Sequence, residues 1–332
     1  MTTEIRDEDL LALHRDMAFL RAFDEQAVSY HSQGRLGTYA ISWGHEAIQA
    51  GSLRALDAPD WVFPSYRESA VGLLRGMPIE TVLSWWRGEP YGCWNPYEYR
   101  VANICVPIGT HVPHAVGFAW GARMKGEKAC ALVFFGDGAT SEGAFHEGLT
   151  FASAVHAPVV LLCNNNGWAI STPVSAQSGA RHLTDKAVGY GIPAIRVDGG
   201  DVLAVYEATR QAVQRARTGG GPTFIEAVTY RMMPHATADE PSLYWDPQRV
   251  EAERKRECLV RYEQHLRELG VLAEDEAEQV YERCRSDVLA AMAVVEQRPP
   301  APSAVMFDVA YANPPPSVLR DRDAVERGVF DR

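Results

Sequence analysis

The chain has 332 residues, 46% of them hydrophobic, and carries a formal net charge of −11 with a pI near 5.4. That length suits one large α/β domain, or one domain with an appendage. The acidic balance argues against a nucleic-acid partner, which needs a basic surface, and no apolar run approaches the ~18 residues of a membrane span. Six cysteines without CxxC spacing favour free thiols in a reducing compartment. Because the N-terminus also lacks a signal pattern, we expect a cytoplasmic protein.

The first third of the chain is predicted to be mainly helical. Helices are expected over residues 8–31, 46–56 and 68–74, with a loop over 57–67 between the last two. Residues 88–100 are polar and aromatic without a clear period, which predicts another loop. A helix rich in small residues, VGFAWGARMKG, follows the segment ICVPIGTHVPH.

The middle of the chain alternates short apolar runs with helical segments. We predict strands over 129–135, 158–163, 193–199 and 222–230, helices over 142–153 and 201–217, and a polar loop over 175–187 that leads into a short helix. Such alternation predicts a doubly wound parallel sheet.

The C-terminal part differs in composition from the rest. It is charged and predicted to be helical through Val295, and its Pro-rich end is expected to be extended, either as a disordered tail or as an arm over a partner. The apolar Met306, Phe307, Val309 and Tyr311 favour the arm. We therefore divide the chain into an α/β domain with an N-terminal helical segment (1–245) and a C-terminal helical extension (246–332).

Two turns of the predicted sheet carry polar side chains where a strand ends. Asp137 lies between Gly136 and Gly138, and the next strand ends in the run NNNGW, residues 164–168. Alone, the sequence GDG would be an ordinary turn. In an open parallel sheet, however, the ligand crevice lies at the carboxyl ends of the strands, where both turns would meet.

These residue types predict a magnesium site that holds a diphosphate. Mg²⁺ takes oxygen ligands and shares its shell with phosphates, so we expect ligands from the Asp137 carboxylate, the Asn166 side-chain oxygen and the Trp168 carbonyl. The glycines would let a diphosphate approach the backbone, and the following helix would direct N–H groups at it.

The sequence GDGATSEG followed by NNNGWAIST resembles the thiamine-diphosphate-binding signature. The wider similarity, from about Tyr30 to about Tyr244, is to the alpha subunit of the thiamine-dependent dehydrogenase component of 2-oxo acid dehydrogenase complexes. The resemblance implies an α/β fold of the thiamine-diphosphate-binding type, with thiamine diphosphate and Mg²⁺ as cofactors. It also implies oxidative decarboxylation of a 2-oxo acid with acyl transfer to a lipoyl group.

The same resemblance implies two protein partners. A beta subunit would carry the glutamate that thiamine chemistry requires, so the chain would be inactive alone and active as an α2β2 heterotetramer. That heterotetramer would dock on a lipoyl acyltransferase core.

Several site residues follow from the resemblance. Tyr66 and Arg67, in a YRE motif, would reach the cofactor, with the guanidinium on phosphate. Ile108 would wedge under the cofactor and bend it, and the carbonyl of Val106 or Ile108 would accept from its aminopyrimidine. His235 would be the catalytic histidine, for which a pKa near neutrality is suitable. The remaining cofactor-binding residues would be Gly136, Asp137, Gly138, Ala139, Asn164, Asn166 and Trp168.

Other histidines are weaker candidates. His45 and His111 stand where the family often has glutamine, so they would line a pocket or a subunit contact, and His146 is expected to be packed rather than reactive. With no Cys-rich or HExxH pattern, we expect no zinc site from these residues and His114.

Three positions depart from the family pattern. Asn164 replaces an arginine that reaches the phosphate in the branched-chain enzymes of animals, and Trp245 replaces a common arginine in the 235–245 loop. Ala236 replaces a serine that is phosphorylated in the animal branched-chain enzyme, so we expect no kinase switch there.

The substrate is open among members of the family. The stretches NNNGWAISTPVS and VGYGIPAIRVDGG favour a branched-chain 2-oxo acid, followed by pyruvate and then acetoin. A non-catalytic paralogue that only binds cofactor or partner is the alternative from another class, and the intact Asp137, Asn166 and His235 argue against it. No GxGxxG follows a predicted strand, which excludes an NAD-binding dehydrogenase.

Overall fold

The structure of the chain is a computed structural model that describes residues 5–309 and 311–328. Up to the first strand the helices are α1 (Asp7–Ser32) and α2 (Glu46–Arg54), and the first strand is β1 (Trp61–Phe63). A 3₁₀-helix (Tyr66–Arg75) then precedes α3 (Ile79–Trp86), a second 3₁₀-helix (Pro90–Gly92), α4 (Pro96–Tyr99) and α5 (His111–Met124). The middle of the chain contains β2 (Ala131–Gly136), a 3₁₀-helix (Asp137–Ser141), α6 (Gly143–Ala154), β3 (Val159–Asn165), β4 (Trp168–Ala169), β5 (Thr172–Pro173), α7 (Val174–Gln177), α8 (Thr184–Val188), β6 (Ala194–Asp198), α9 (Val202–Arg217) and β7 (Thr223–Val228). The last part contains a 3₁₀-helix (Pro241–Leu243), α10 (Pro247–Arg254), α11 (Cys258–Glu268), α12 (Glu276–Glu296), α13 (Val305–Asp308) and α14 (Pro316–Glu326).

Five strands form one parallel sheet in the order β1-β2-β3-β7-β6. Gly136 at the end of β2 lies opposite Asn164, which in turn lies opposite Ala227 of β7. Because every strand runs in the same direction, the segments that follow β1, β2, β3 and β7 leave the sheet at one edge. The predicted doubly wound parallel sheet is confirmed, and this edge carries the site.

The sheet is covered on both faces because successive side chains of a strand point to opposite sides. Leu132, Phe134 and Leu162 belong to the core shared with α1, α2 and α9, whereas Val133 and Leu161 belong to the core shared with α5 and α6. Continuous apolar runs are therefore what this architecture requires of β2 and β3. Cys130, directly before β2, and Cys163, in β3, are buried free thiols, as the absence of CxxC spacing favoured.

Helix α1 joins the N-terminal and C-terminal parts of the chain. Its buried side chains recur every three or four residues and share one core with Leu266 of α11 and with Val288 and Met292 of α12. In that core the buried Arg21 donates through Nε to Glu46 (2.7 Å) and through Nη2 to Glu257 (2.6 Å). The C-terminal helices thus pack on the first helix of the chain.

Several predictions of local structure were wrong. The segment 57–67 contains the edge strand β1, because Trp61, Val62 and Phe63 pair with β2. Helix α3 was not predicted, and 88–100 contains two short helical turns. The Pro-rich end is not extended throughout: Pro315 and Pro316 open α14, where proline's fixed φ suits a first turn. Met306 and Val309 are exposed, and the arm over a partner stays a prediction.

The division at residue 245 stays a prediction, and positions 1–4, 310 and 329–332 of the two parts lie outside the described residues. Within 5–309 and 311–328, no helix combines the length and the apolar character needed to cross a bilayer.

Candidate active site

A cleft of ≈ 540 Å³ opens at the carboxyl edge of the sheet. All twelve residues predicted to bind the cofactor line it: Tyr66, Arg67, Val106, Ile108, Gly136, Asp137, Gly138, Ala139, Asn164, Asn166, Trp168 and His235. They come from the last residues of β2 and β3, from the segments that follow β1, β2, β3 and β7, and from the loop before α5. The parallel topology therefore brings together residues as far apart in sequence as Tyr66 and His235.

Asp137 begins the tight turn at the end of β2. Its side chain is 2% exposed, and burial raises the pKa of its carboxyl group, opposed chiefly by a hydrogen bond from Gln177. Oδ2 accepts from Gln177 Nε2 (3.0 Å), whereas Oδ1 is buried and has no hydrogen-bond partner among the described residues. The carboxylate thus offers one free oxygen to a ligand.

The glycines on either side of Asp137 keep this turn bare. A Cβ at Gly138 would lie 2.8 Å from the Cβ of Ala169, and one at Gly136 would meet nothing closer than the Asn164 carbonyl at 4.0 Å. Gly138 is thus required by the close approach of the next loop. Gly136 leaves open space at the end of β2, as a ligand approaching the backbone needs.

Asn166 is fixed by a histidine behind the cleft. Its Nδ2 lies 3.3 Å from Nε2 of His45, whose Nδ1 lies 3.0 Å from the Ser42 carbonyl, and its Oδ1 accepts from the Trp168 backbone N–H (3.2 Å). Since Nδ1 must donate to a carbonyl, Nε2 accepts from the amide, and His45 is neutral. His45 is fully buried behind Asn166 and does not line the cleft, which was one of the two roles predicted for it beside a subunit contact.

Arg67 and His235 contact each other across 168 residues of sequence. Arg67 Nη2 lies 3.1 Å from His235 Nδ1 and 3.1 Å from its carbonyl oxygen, and Nη1 donates to the Ile41 carbonyl. Because a guanidinium can only donate, Nδ1 accepts and the neutral ring carries its proton on Nε2. Burial, together with the charges of Arg67 and Arg231, lowers the pKa of His235 to about 3. This pKa lies well below the near-neutral value that suits proton transfer by a histidine.

Arg231 is a central residue that the sequence did not single out. It is fully buried and donates to the carbonyl groups of Trp168 (3.4 Å) and Ile170 (2.5 Å) and to the Tyr244 hydroxyl (2.7 Å). Tyr244 in turn donates to Asp239, which also accepts from the backbone N–H of His235 (2.7 Å). One arginine thus ties the loop after β3 to the loop that carries His235.

The other wall of the cleft is apolar and partly open. Val106 and Ile108 are 56% and 43% exposed, in the loop before α5.

Asn164 is buried and donates to Glu68 (3.3 Å), which also accepts from the Ser65 hydroxyl. Burial raises the pKa of Glu68, with Ser65 opposing it.

The remaining histidines differ in their surroundings. His111 lines the cleft, with Nε2 bonded to the Phe134 carbonyl and a buried Nδ1 that has no partner within the described part of the chain. His146 lies 2.8 Å from the Tyr190 hydroxyl, and His114 is exposed. Ala236 also lines the cleft.

The oxygen atoms that Asp137, Asn166 and Trp168 offer as ligands fit a hard divalent cation that carries a diphosphate. Asp137 Oδ1 is free, and the Trp168 carbonyl and the Asn166 side-chain oxygen each keep a lone pair beyond their present bond. The three candidate ligands also line one cleft. By contrast, Glu46, Glu257 and Cys258 form a cluster of metal-ligating type whose two carboxylates are already paired with Arg21.

Residues 14–303 match the family model described as dehydrogenase E1 component. The 3-methyl-2-oxobutanoate dehydrogenase subunit alpha of Mycobacterium tuberculosis is 43% identical over 282 residues, 85% of this chain and 77% of that protein. The pyruvate dehydrogenase E1 component subunit alpha of Staphylococcus epidermidis is 37% identical over 316 residues, 95% and 85% of the two chains, and that of Staphylococcus aureus is 36% identical.

The chain belongs to the dehydrogenase E1 component family. The predicted resemblance is confirmed, and with it the prediction of an enzyme subunit of the 2-oxo acid dehydrogenase E1 alpha type. The relatives include both a branched-chain and a pyruvate enzyme, so they leave the substrate open.

Proposed function

We propose that this chain is the alpha subunit of a branched-chain 2-oxo acid dehydrogenase that binds thiamine diphosphate with Mg²⁺. The observation that carries the proposal is the meeting of all twelve predicted residues in one cleft, around a buried carboxylate with one free oxygen. The identity to the mycobacterial 3-methyl-2-oxobutanoate enzyme supports the branched-chain substrate.

Within the cleft, the residues have distinct roles. Asp137, Asn166 and the Trp168 carbonyl would hold Mg²⁺, and Arg67 and the backbone around Gly138 would hold the diphosphate. Bound thiamine diphosphate would supply the carbanion-stabilising chemistry for decarboxylation of a 2-oxo acid. Buried His45 and Arg231 would keep the loop after β3 in place.

His235 would act first as a hydrogen-bond donor. Its Nε2 carries the proton because Arg67 occupies Nδ1, so at neutral pH the ring presents an N–H. A diphosphate paired with Arg67 would balance one of the charges that lower the pKa of His235. We therefore expect its pKa to rise toward its ordinary range in the cofactor complex, where it could transfer protons.

The pyruvate enzyme is the second candidate, since a relative of that name matches 95% of the chain. One or two methylene groups are worth only about 1–3 kcal/mol of discrimination. A beta-type subunit and a lipoyl acyltransferase core are the proposed partners, and the cytoplasm is the proposed location.

The test uses the chain alone and the chain co-expressed with a beta-type subunit. Calorimetric titration with thiamine diphosphate and Mg²⁺ should show binding by the complex that Asp137→Ala abolishes, whereas Gly143→Ala, which would meet no atom within 4 Å, should bind normally. Turnover of 3-methyl-2-oxobutanoate should exceed that of pyruvate, and the chain alone should decarboxylate neither.

The outcomes are separable. Robust turnover without a partner would contradict the need for a beta subunit, and a preference for pyruvate would select the second candidate. Cofactor binding without turnover of either acid by the complex would indicate a non-catalytic paralogue.

A further inference from the structure

Gln177 lies at the end of the four-residue helix α7 and contacts the candidate metal site without being one of its ligands. Its Nε2 donates to Asp137 Oδ2 (3.0 Å) and to the Thr172 carbonyl (2.9 Å). One hydrogen of the amide nitrogen therefore binds the Asp137 turn, and the other binds the loop after β3. This contact was not predicted, because Gln177 lies in the stretch 175–187 that was expected to be a polar loop.

This contact determines which oxygen of Asp137 is available. With Oδ2 held by Gln177, rotation of the carboxylate is restricted, and Oδ1 remains free and buried. A metal ligand whose non-bonding oxygen accepts a hydrogen bond is held in one orientation before the metal arrives.

The second bond of Gln177 connects Asp137 to the loop that carries another candidate ligand. Thr172 belongs to the hairpin of β4 and β5, in which it lies opposite Ala169, next to Trp168. The same hairpin rests on the Asp137 turn, since Ala169 approaches Gly138 so closely. Gln177 thus fixes the Asp137 carboxylate relative to the Trp168 carbonyl.

We propose that Gln177 is a positioning residue for Mg²⁺, which orients Asp137 and sets its distance from the loop of Asn166 and Trp168. The inference rests on the proposed function, because it requires a divalent cation at Asp137. In this proposal Gln177 neither ligates the cation nor contacts the diphosphate, and it acts through Asp137.

The hairpin has other anchors, so a change at Gln177 can be separated from unfolding of the loop. Arg231 holds the carbonyl groups of Trp168 and Ile170, and the Ser141 hydroxyl reaches the Gln177 carbonyl (3.5 Å), which is a backbone group. These contacts remain when only the side-chain amide is removed.

The experiment measures Mn²⁺ binding in the presence of thiamine diphosphate by electron paramagnetic resonance, using the full chain co-expressed with a beta-type subunit. Gln177→Met keeps the unbranched shape but loses the amide, and Gln177→Asn keeps an amide on a shorter side chain. Gln214→Met, on the exposed face of α9, is the matched control. Trypsin cleavage at the exposed Arg181 reports whether the adjacent loop has loosened.

We expect Gln177→Met to raise the Kd for Mn²⁺ by about 10-fold or more and to change the spectrum of the bound ion, since loss of such a partner costs about 10–100-fold in metal affinity. Gln177→Asn should also raise the Kd for Mn²⁺. The Gln214→Met control should bind Mn²⁺ like wild type, and the rate of cleavage at Arg181 should be the same in all variants.

Mn²⁺ affinity and spectrum equal to wild type in both Gln177 variants would overturn the inference and leave the proposed function intact. Weaker binding that appears only together with faster cleavage at Arg181 would assign Gln177 to loop stability and also overturn it. A wild-type complex that does not bind Mn²⁺ with thiamine diphosphate would contradict the proposed function itself, and the inference with it.

Discussion

Replacing His45 by glutamine is expected to make the protein less sensitive to acid. His45 is fully buried, and burial together with the charge of Arg67 lowers its pKa to about 3 from an ordinary value of 6.5. The folded protein therefore keeps this ring neutral at a pH where the unfolded chain takes up a proton. Protonation of His45 therefore favours the unfolded state. It has little effect on the free energy of unfolding above pH 6.5 and lowers that free energy as the pH falls from 6.5 toward 3.

The size of the effect follows from the two pKa values. At pH 5 the unfolded histidine is 1.5 pH units below its pKa, and each unit corresponds to about 1.36 kcal/mol, so the term reaches about 2 kcal/mol. At pH 7 it is close to zero. Other groups also titrate in this window, but they are common to both proteins and cancel in the difference.

The assay is urea denaturation of wild type, His45→Gln and the control His114→Gln at pH 7 and pH 5. Wild type and the control, whose histidine is exposed, should lose about 2 kcal/mol more free energy of unfolding between the two pH values than His45→Gln. An equal loss in all three proteins would refute the reasoning, because it would mean that His45 is protonated in the folded state.

Three further predictions test the contacts around the site and the core. Tyr244→Phe removes the hydroxyl that joins Arg231 to Asp239, so proteolysis within the 235–245 loop should become faster without a change in the far-ultraviolet circular dichroism spectrum. Arg21→Met leaves two buried carboxylates unpaired and should lower the free energy of unfolding by about 3–5 kcal/mol in urea. Gly138→Ala should weaken binding of thiamine diphosphate measured by calorimetry, because its methyl group would collide with the loop after β3.

The central strands and the turns that follow them could be predicted because their signals are local. A fully apolar run that ends in Gly136-Asp137-Gly138 is recognisable without knowledge of the fold. β1 could not be predicted in this way, since three apolar residues between Asp60 and Pro64 are too few to show a period. The helix α14 was missed because its Pro-rich surroundings predicted an extended chain, although Pro315 and Pro316 stand at the helix start.

The sequence predicted which residues line the site, but it did not predict how these residues contact each other. The YRE motif indicated Arg67, yet its contact with His235 depends on two segments far apart in sequence. The pKa of His235 follows from that contact and from Arg231, so no local pattern could supply it. Gln177 and Arg231 were missed because their partners are mostly backbone carbonyl groups of other loops, which have no sequence signature.

The distribution of charge in the cleft limits what it can bind. Arg67 lines the cleft and Arg231 lies fully buried behind it. Both donate their hydrogen bonds to carbonyl groups, a histidine or a hydroxyl, and neither forms a salt bridge within the described residues. Close to them, Asp137 keeps one buried oxygen without a partner. A neutral ligand would leave these buried charges uncompensated, which is costly. An anion that brings its own divalent cation compensates both charges at once, since its negative charge would face the Arg67 guanidinium while the cation would meet the free oxygen of Asp137.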